Sequence, residues 1–161
     1  MFFIDTYRLL ANRLREKNIP YAYDFIREWM SFNACYYHIG TGNERDKVIS
    51  IIQNYIPTAK ADFVLNQVND SIEFFSLLPP GDTRKADTDV AFRKKSMEDT
   101  NIVIDESNSP EMRLSHLMAV LYQVRCNLMH GGKDPDSFRD EQVVFHSLTV
   151  INFTLTALLE E

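Results

Sequence analysis

Two side chains, Arg125 and His130, are of types that hold anions and move protons, and they stand five residues apart in Val124-Arg125-Cys126-Asn127-Leu128-Met129-His130-Gly131-Gly132-Lys133. Arg carries a permanent planar cation matched to phosphate oxygens, and His exchanges a proton near neutral pH. Arg125 borders an apolar helical stripe, where a charge is costly unless paired or aimed at an anion. His130 falls in the last turn of that helix, before Gly131-Gly132, and a helix C-terminus favours the protonated imidazole. Cleavage of RNA needs little more. The 2′-hydroxyl must lose a proton, the 5′-oxygen must gain one, and the phosphoryl charge must be neutralised. A twofold dimer would pool two His and two Arg in one cleft, supplying base, acid and clamp without a metal. Single-stranded RNA is the nucleic acid that fits, because DNA lacks the internal nucleophile. Arg125 and His130 are therefore the candidate catalytic pair. Asn127, Lys133 and Asn33 are the candidate substrate-binding groups, Asn33 with the alternative use of satisfying a buried neighbour. His116 and His146 have no carboxylate or Cys at metal-ligand spacing, so no metal site and no cofactor is expected.

The elements that must position these groups read as helical almost throughout. A first helix over about 3–17 carries Leu9, Leu10, Ala11 and Leu14. A second runs from Tyr21 to Ile39, stopped by Gly40, and buries Phe25, Ile26, Trp29, Phe32 and Tyr36 at spacings of three and four. Asn43 caps a third that ends at Pro57. Thr58 caps a fourth that continues through Phe75 to the break at Pro79-Pro80-Gly81. Residues 79–110 show little apolar period and read as an irregular or partly helical insertion, with a short helix over about 88–98. Ser109-Pro110-Glu111 opens the long helix that ends at His130. Asp134-Pro135-Asp136 restarts the chain into a final helix from Phe138 to Leu158. The expected fold is an all-α antiparallel bundle of five to six helices in a single domain spanning 1–161.

Turning about 100° per residue sorts the long helix into three faces. Leu114, Leu117, Leu121, Val124 and Leu128 form a core stripe, and Arg113, His116, Gln123 and Asn127 a polar face. Ser115, Ala119, Tyr122, Cys126 and Met129 form a third strip, whose small and apolar residues suit the same helix of a twofold mate.

The 161 residues are 45% apolar and 25% charged, with five Gly and six Pro, which excludes a disordered or collagenous chain. No apolar run approaches the ~20 residues of a membrane span. Met1-Phe2-Phe3-Ile4 is interrupted by Asp5 and Arg8 and does not read as a signal peptide. With Cys35 and Cys126 alone in helical contexts, a reducing cytoplasm is the expected location. Net charge is −6, and residues 101–161 carry four basic against nine acidic side chains. Generic duplex binding is thereby disfavoured and a small, specific site is left open. Arg93-Lys94-Lys95 reads as a solvated face that would hold phosphates if it lay near a cleft. Tyr21, Tyr23, Tyr36 and Tyr37 read as core or rim, with base stacking the lesser use.

The segment Arg125-Cys126-Asn127-Leu128-Met129-His130, with its Gly-Gly-Lys continuation, resembles the Arg-x4–6-His signature of the HEPN (higher eukaryotes and prokaryotes nucleotide-binding) superfamily. Trp29-x2-Phe32-Asn33-Ala34-x-Tyr36 is similar to the aromatic-Asn motif of an earlier helix in those proteins, and the resemblance spans about residues 20–160. It implies an all-α bundle that dimerises with its Arg and His motifs face to face. Many relatives are metal-independent endoribonucleases of toxin–antitoxin and phage-defence systems, so the resemblance implies that activity, with Arg125 and His130 as the catalytic pair. The residue after the motif Arg is often Asn, Asp or His in active members; here it is Cys126. One toxin branch carries a Tyr two residues after the His, modified by a nucleotidyltransferase antitoxin, and Gly132 takes that place here.

Cys126 and the acidic net charge favour a second reading, a catalytically silent module that binds RNA, a nucleotide or a partner protein. A third is a substrate-recognition subunit for a separately encoded nucleotidyltransferase, so the partners to expect are an antitoxin or a nucleotidyltransferase.

Overall fold

The computed structural model describes residues 2–39 and 41–160, with side chains from residue 8 onward. Among the described residues the chain is all-helical, without strands, in eight helices: α1 (Phe2–Glu16), α2 (Ala22–Tyr36), α3 (Glu44–Tyr55), α4 (Thr58–Gln67), α5 (Asn69–Leu77), α6 (Ala91–Ile104), α7 (Pro110–Met129) and α8 (Phe138–Leu159). Eight replaces the expected five to six for two local reasons. The fourth helix breaks at Val68 (φ −105°, ψ 22°), which leaves α4 and α5 as separate elements. The 79–110 segment is ordered and contributes α6, of 14 residues.

α7 lies at the centre, packed against α3, α6, α4 and α8, while α8 also lines α2 and α5. The central position follows from composition: Leu114, Leu117, Met118, Val120, Leu121 and Val124 of α7 are all fully buried. The start of α7 is fixed as its sequence dictates. Ser109 accepts the Met112 N–H at 3.2 Å, Pro110 needs no donor partner at the first position, and Glu111 faces the positive end of the helix. Asn43 caps α3 in the same way through the Asp46 N–H at 2.9 Å. Pro57 rather than Thr58 occupies the cap position of α4, and the Thr58 hydroxyl instead donates to Glu111. α2 begins one residue after Tyr21, which takes φ 65°, a left-handed conformation rare outside glycine, and sets its ring edge-on against Phe145 at 5.3 Å. α2 ends at Tyr36. Gly40, the expected stop, lies outside the described residues, as do Met1 and Glu161.

α8 is, among the described residues, the one helix long and apolar enough to cross a membrane. The sequence holds no uninterrupted apolar run of that length, since His146, Ser147 and Asn152 fall within this helix. Here α8 serves as a core helix, with Val143, Val144, Val150, Ile151 and Leu155 buried.

Candidate functional site

Arg125 sits on the penultimate turn of α7 and reaches the N-terminus of α3. Its Nη1 lies 3.5 Å from Glu44 Oε2, and both side chains remain about one-third exposed (28% and 33%). Glu44 is the first residue of α3, where the helix dipole favours a carboxylate. Its other oxygen accepts from the Tyr36 hydroxyl at 2.8 Å, so α2, α3 and α7 meet in a chain of Tyr36, Glu44 and Arg125. Burial works against the Arg125 charge, but the Glu44 carboxylate and the neighbouring Cys126 outweigh it and hold the guanidinium above its ordinary value. Burial, with Glu44 beside it, pushes the Tyr36 phenol well up, which keeps it a neutral donor. Burial and Cys126 similarly push Tyr122, one turn earlier, up to about 12.

Glu44 and Arg125 line an open cleft of about 350 Å³ with Asn33, Tyr37 and Lys47. Lys47 Nζ donates to the Tyr37 carbonyl at 3.3 Å and lies 6.0 Å from the Tyr37 ring centroid. The structure therefore brings Arg125 and Asn33 together. It does not bring the other three predicted residues into that cleft.

His130 is the C-cap of α7, held by its N–H to the Cys126 carbonyl at 3.0 Å. Its ring is exposed and has no hydrogen-bond partner among the described residues. Gly131 follows at φ 70°, the left-handed turn that ends the helix. Gly132 serves a different purpose: a Cβ there would lie 2.3 Å from Thr83 Oγ1, so only glycine lets the 79–83 segment lie against the end of α7.

Asn127 holds that same segment. Its side chain is 1% exposed. Its Nδ2 donates to the Gly81 carbonyl at 2.7 Å. Its Oδ1 accepts from the Thr83 N–H (3.3 Å), the Thr83 hydroxyl (3.1 Å) and Gln123 Nε2 (2.9 Å). Lys133, also buried, pairs with Asp140 at 3.0 Å, and burial depresses its pKa despite that partner. Both side chains have partners within the fold, and neither lines the Arg125 cleft.

The third strip of α7 also divides. Ser115 and Ala119 are buried within the subunit, and Ser115 accepts from Gln53 of α3 at 3.0 Å. Tyr122 and Cys126 are half-buried, and Met129 is 61% exposed. Only the C-terminal end of the strip is thus open to a mate. The upper part, expected to face one, is covered by the subunit's own α3 and α6.

Sequence reasoning missed Glu44 and Lys47. Glu44 reads as an ordinary first-turn acid, and nothing local points to a partner 81 residues away. It also missed a buried ion cluster, in which Asp99 of α6 binds both Arg45 and His116 Nδ1, the latter at 2.8 Å. Among the described residues no group of three or more His, Cys, Asp or Glu could hold a metal ion. Compared with known protein families, curated proteins and solved structures, the chain matches none.

Proposed function

We propose that the chain is a metal-independent endoribonuclease acting on single-stranded RNA as a homodimer, of toxin–antitoxin or phage-defence type. The reading rests on the resemblance of the α7 segment to the HEPN signature, and one structural observation supports it. At the end of α7 an unpartnered, exposed His130 follows a guanidinium that faces an open cleft with a single carboxylate at 3.5 Å. A mate packed on the exposed end of α7, around Met129, brings a second His130 and Arg125 to the same crevice. One His130 takes the proton of the 2′-hydroxyl as that oxygen attacks phosphorus. The other delivers a proton to the departing 5′-oxygen. The products are a 2′,3′-cyclic phosphate and a 5′-hydroxyl, and Arg125 carries the charge that builds on the phosphoryl oxygens. Asn33 lines the same cleft as Arg125 and offers its amide to the substrate. Asn127 and Lys133 act at one remove, by shaping the end of α7.

The test is incubation of the purified protein with single-stranded RNA in excess chelator. Cleavage with cyclic-phosphate ends is expected, falling at least 100-fold in His130→Ala and in Arg125→Ala. Cutting abolished by chelator, or unchanged in His130→Ala, overturns the proposal.

A second reading, a silent binding module, is favoured by the Glu44 carboxylate that already partners Arg125, and by Cys126 after it. It predicts RNA binding with no cleavage at any protein concentration.

A further inference from the structure

A second cleft, of about 270 Å³, opens where the 82–85 turn and the start of α6 cross α7. Four cations line it: Arg45, Arg84, Lys85 and Lys95. Two carboxylates do, Asp82 and Asp99, and both belong to buried residues. This is a concentration of positive charge in a chain of net charge −6. The carboxylates act from beneath. Asp99 is shared by Arg45 and His116. Asp82 grips Arg84 by one edge, Oδ1 to Nε and Oδ2 to Nη2, each 2.9 Å, with Lys85 Nζ 3.6 Å away. That grip engages Nε and Nη2 and leaves Nη1 without a partner among the described residues, and the Arg84 side chain is 67% exposed. Among the described residues Lys95 pairs with Glu98 alone, at 3.6 Å and exposed. Ser96 is 3% exposed and lines the cleft, and no protein group among the described residues engages its hydroxyl. Tyr122 forms part of the wall.

We propose that this cleft binds a phosphoryl group, with Arg84, Lys85 and Lys95 facing its oxygens, Ser96 donating to it, and Tyr122 flanking whatever the phosphate is attached to. A guanidinium held by a buried carboxylate is pre-set for a bidentate anion contact, so little side-chain freedom is lost on binding. The site uses neither Arg125 nor His130 and stands independently of the nuclease reading. Two sources carry the same chemistry: a phosphodiester in a nucleic-acid strand and a free phosphate monoester or diphosphate.

The experiment is calorimetric titration of the full chain with inorganic pyrophosphate and, separately, with a short single-stranded deoxyoligonucleotide. The latter lacks the 2′-hydroxyl and stays intact whether or not the protein is a nuclease. Binding of either probe is expected, weakened at least 10-fold by the Arg84→Ala/Lys85→Ala pair and less than 2-fold by Lys94→Ala, an exposed neighbour outside the cleft. Binding of the oligonucleotide identifies a strand as the source; binding of pyrophosphate alone identifies a free phosphate compound. Ser96→Ala, a small change that preserves packing, is expected to weaken binding several-fold with an unchanged unfolding midpoint. The proposal is overturned if neither probe binds, or if Lys94→Ala weakens binding as much as the Arg84/Lys85 pair does.

Discussion

Arg125 and Asn127 stand two residues apart on α7 and live in different electrostatic worlds. Asn127 is sealed beneath the 79–83 segment, donating one hydrogen bond to the Gly81 carbonyl and accepting three from Thr83 and Gln123. Arg125 opens onto a cleft, with one long carboxylate contact at 3.5 Å. The rotation between two neighbouring helix positions decides which polar group becomes scaffold and which stays available. A buried amide must have every partner, because an orphaned one costs the full desolvation penalty. A guanidinium about one-third exposed keeps water as a partner and so can be given up to a ligand. The same split separates His130, exposed at the helix end, from Lys133, buried against Asp140 three residues later.

The contrast is sharpened most by Asn127→Ala. Truncation strands the Gly81 carbonyl and the Thr83 N–H in a dry site, with an expected loss of ~2–4 kcal/mol. In a chain this long each kcal/mol moves the thermal midpoint by roughly 2–4 °C, so a drop near 10 °C is the expected reading. Gly132→Ala comes next. Its Cβ would press on Thr83, and displacing the segment costs about 1–3 kcal/mol, partly recovered by adding Thr83→Gly. Gly131→Ala meets open space and bears only the left-handed backbone strain, about 1 kcal/mol. If the two alanine variants melt together, the close approach of Thr83 to Gly132 is not what the glycine pair is for.

The sequence makes the scaffold legible wherever an apolar stripe or a cap marks it. α2, α3, α7 and α8 carry apolar residues at helical spacing, and Asn43 and Ser109 cap where a short polar side chain before a helix should. α6 is legible only in part: a short helix is expected over about 88–98, and the element runs to Ile104 because its buried face is Ser96, Asp99 and Thr100 as well as Val103, which leaves little apolar period to read. Asp99 is tolerated there because Arg45 and His116 reach it from two other helices. The break at Val68 carries no glycine or proline and has no local signal. At the site, Arg125 and His130 stand out by residue type and position. Whether Asn127 faces a ligand or a loop depends on a segment 44–46 residues away in sequence, which no local pattern encodes.

The loop that Asn127 holds carries its own pH signature. Arg84 beside Asp82 holds that carboxyl at about 2, below its ordinary 3.8. A carboxylate whose folded pKa is depressed adds stability that is complete above the unfolded value and disappears as pH falls through the folded one. Asp82→Asn is therefore expected to lower the urea midpoint modestly at pH 6. The gap to the unaltered protein should close between pH 4 and 2. A gap that persists unchanged at pH 2 rules out the ion pair as its source.

The smallest expected effect on stability is the most informative for the comparison. Arg125→Ala removes a partly exposed pair with Glu44, and such pairs contribute about 0–1 kcal/mol. Glu44 keeps the Tyr36 hydroxyl, and its own exposure lets water take the vacated place. The variant should therefore unfold within a few degrees of the unaltered protein, in the same instrument that shows Asn127→Ala failing early. A loss from Arg125→Ala as large as that from Asn127→Ala would make the guanidinium part of the scaffold. It would then no longer be free to meet a phosphate without loosening the junction of α2, α3 and α7.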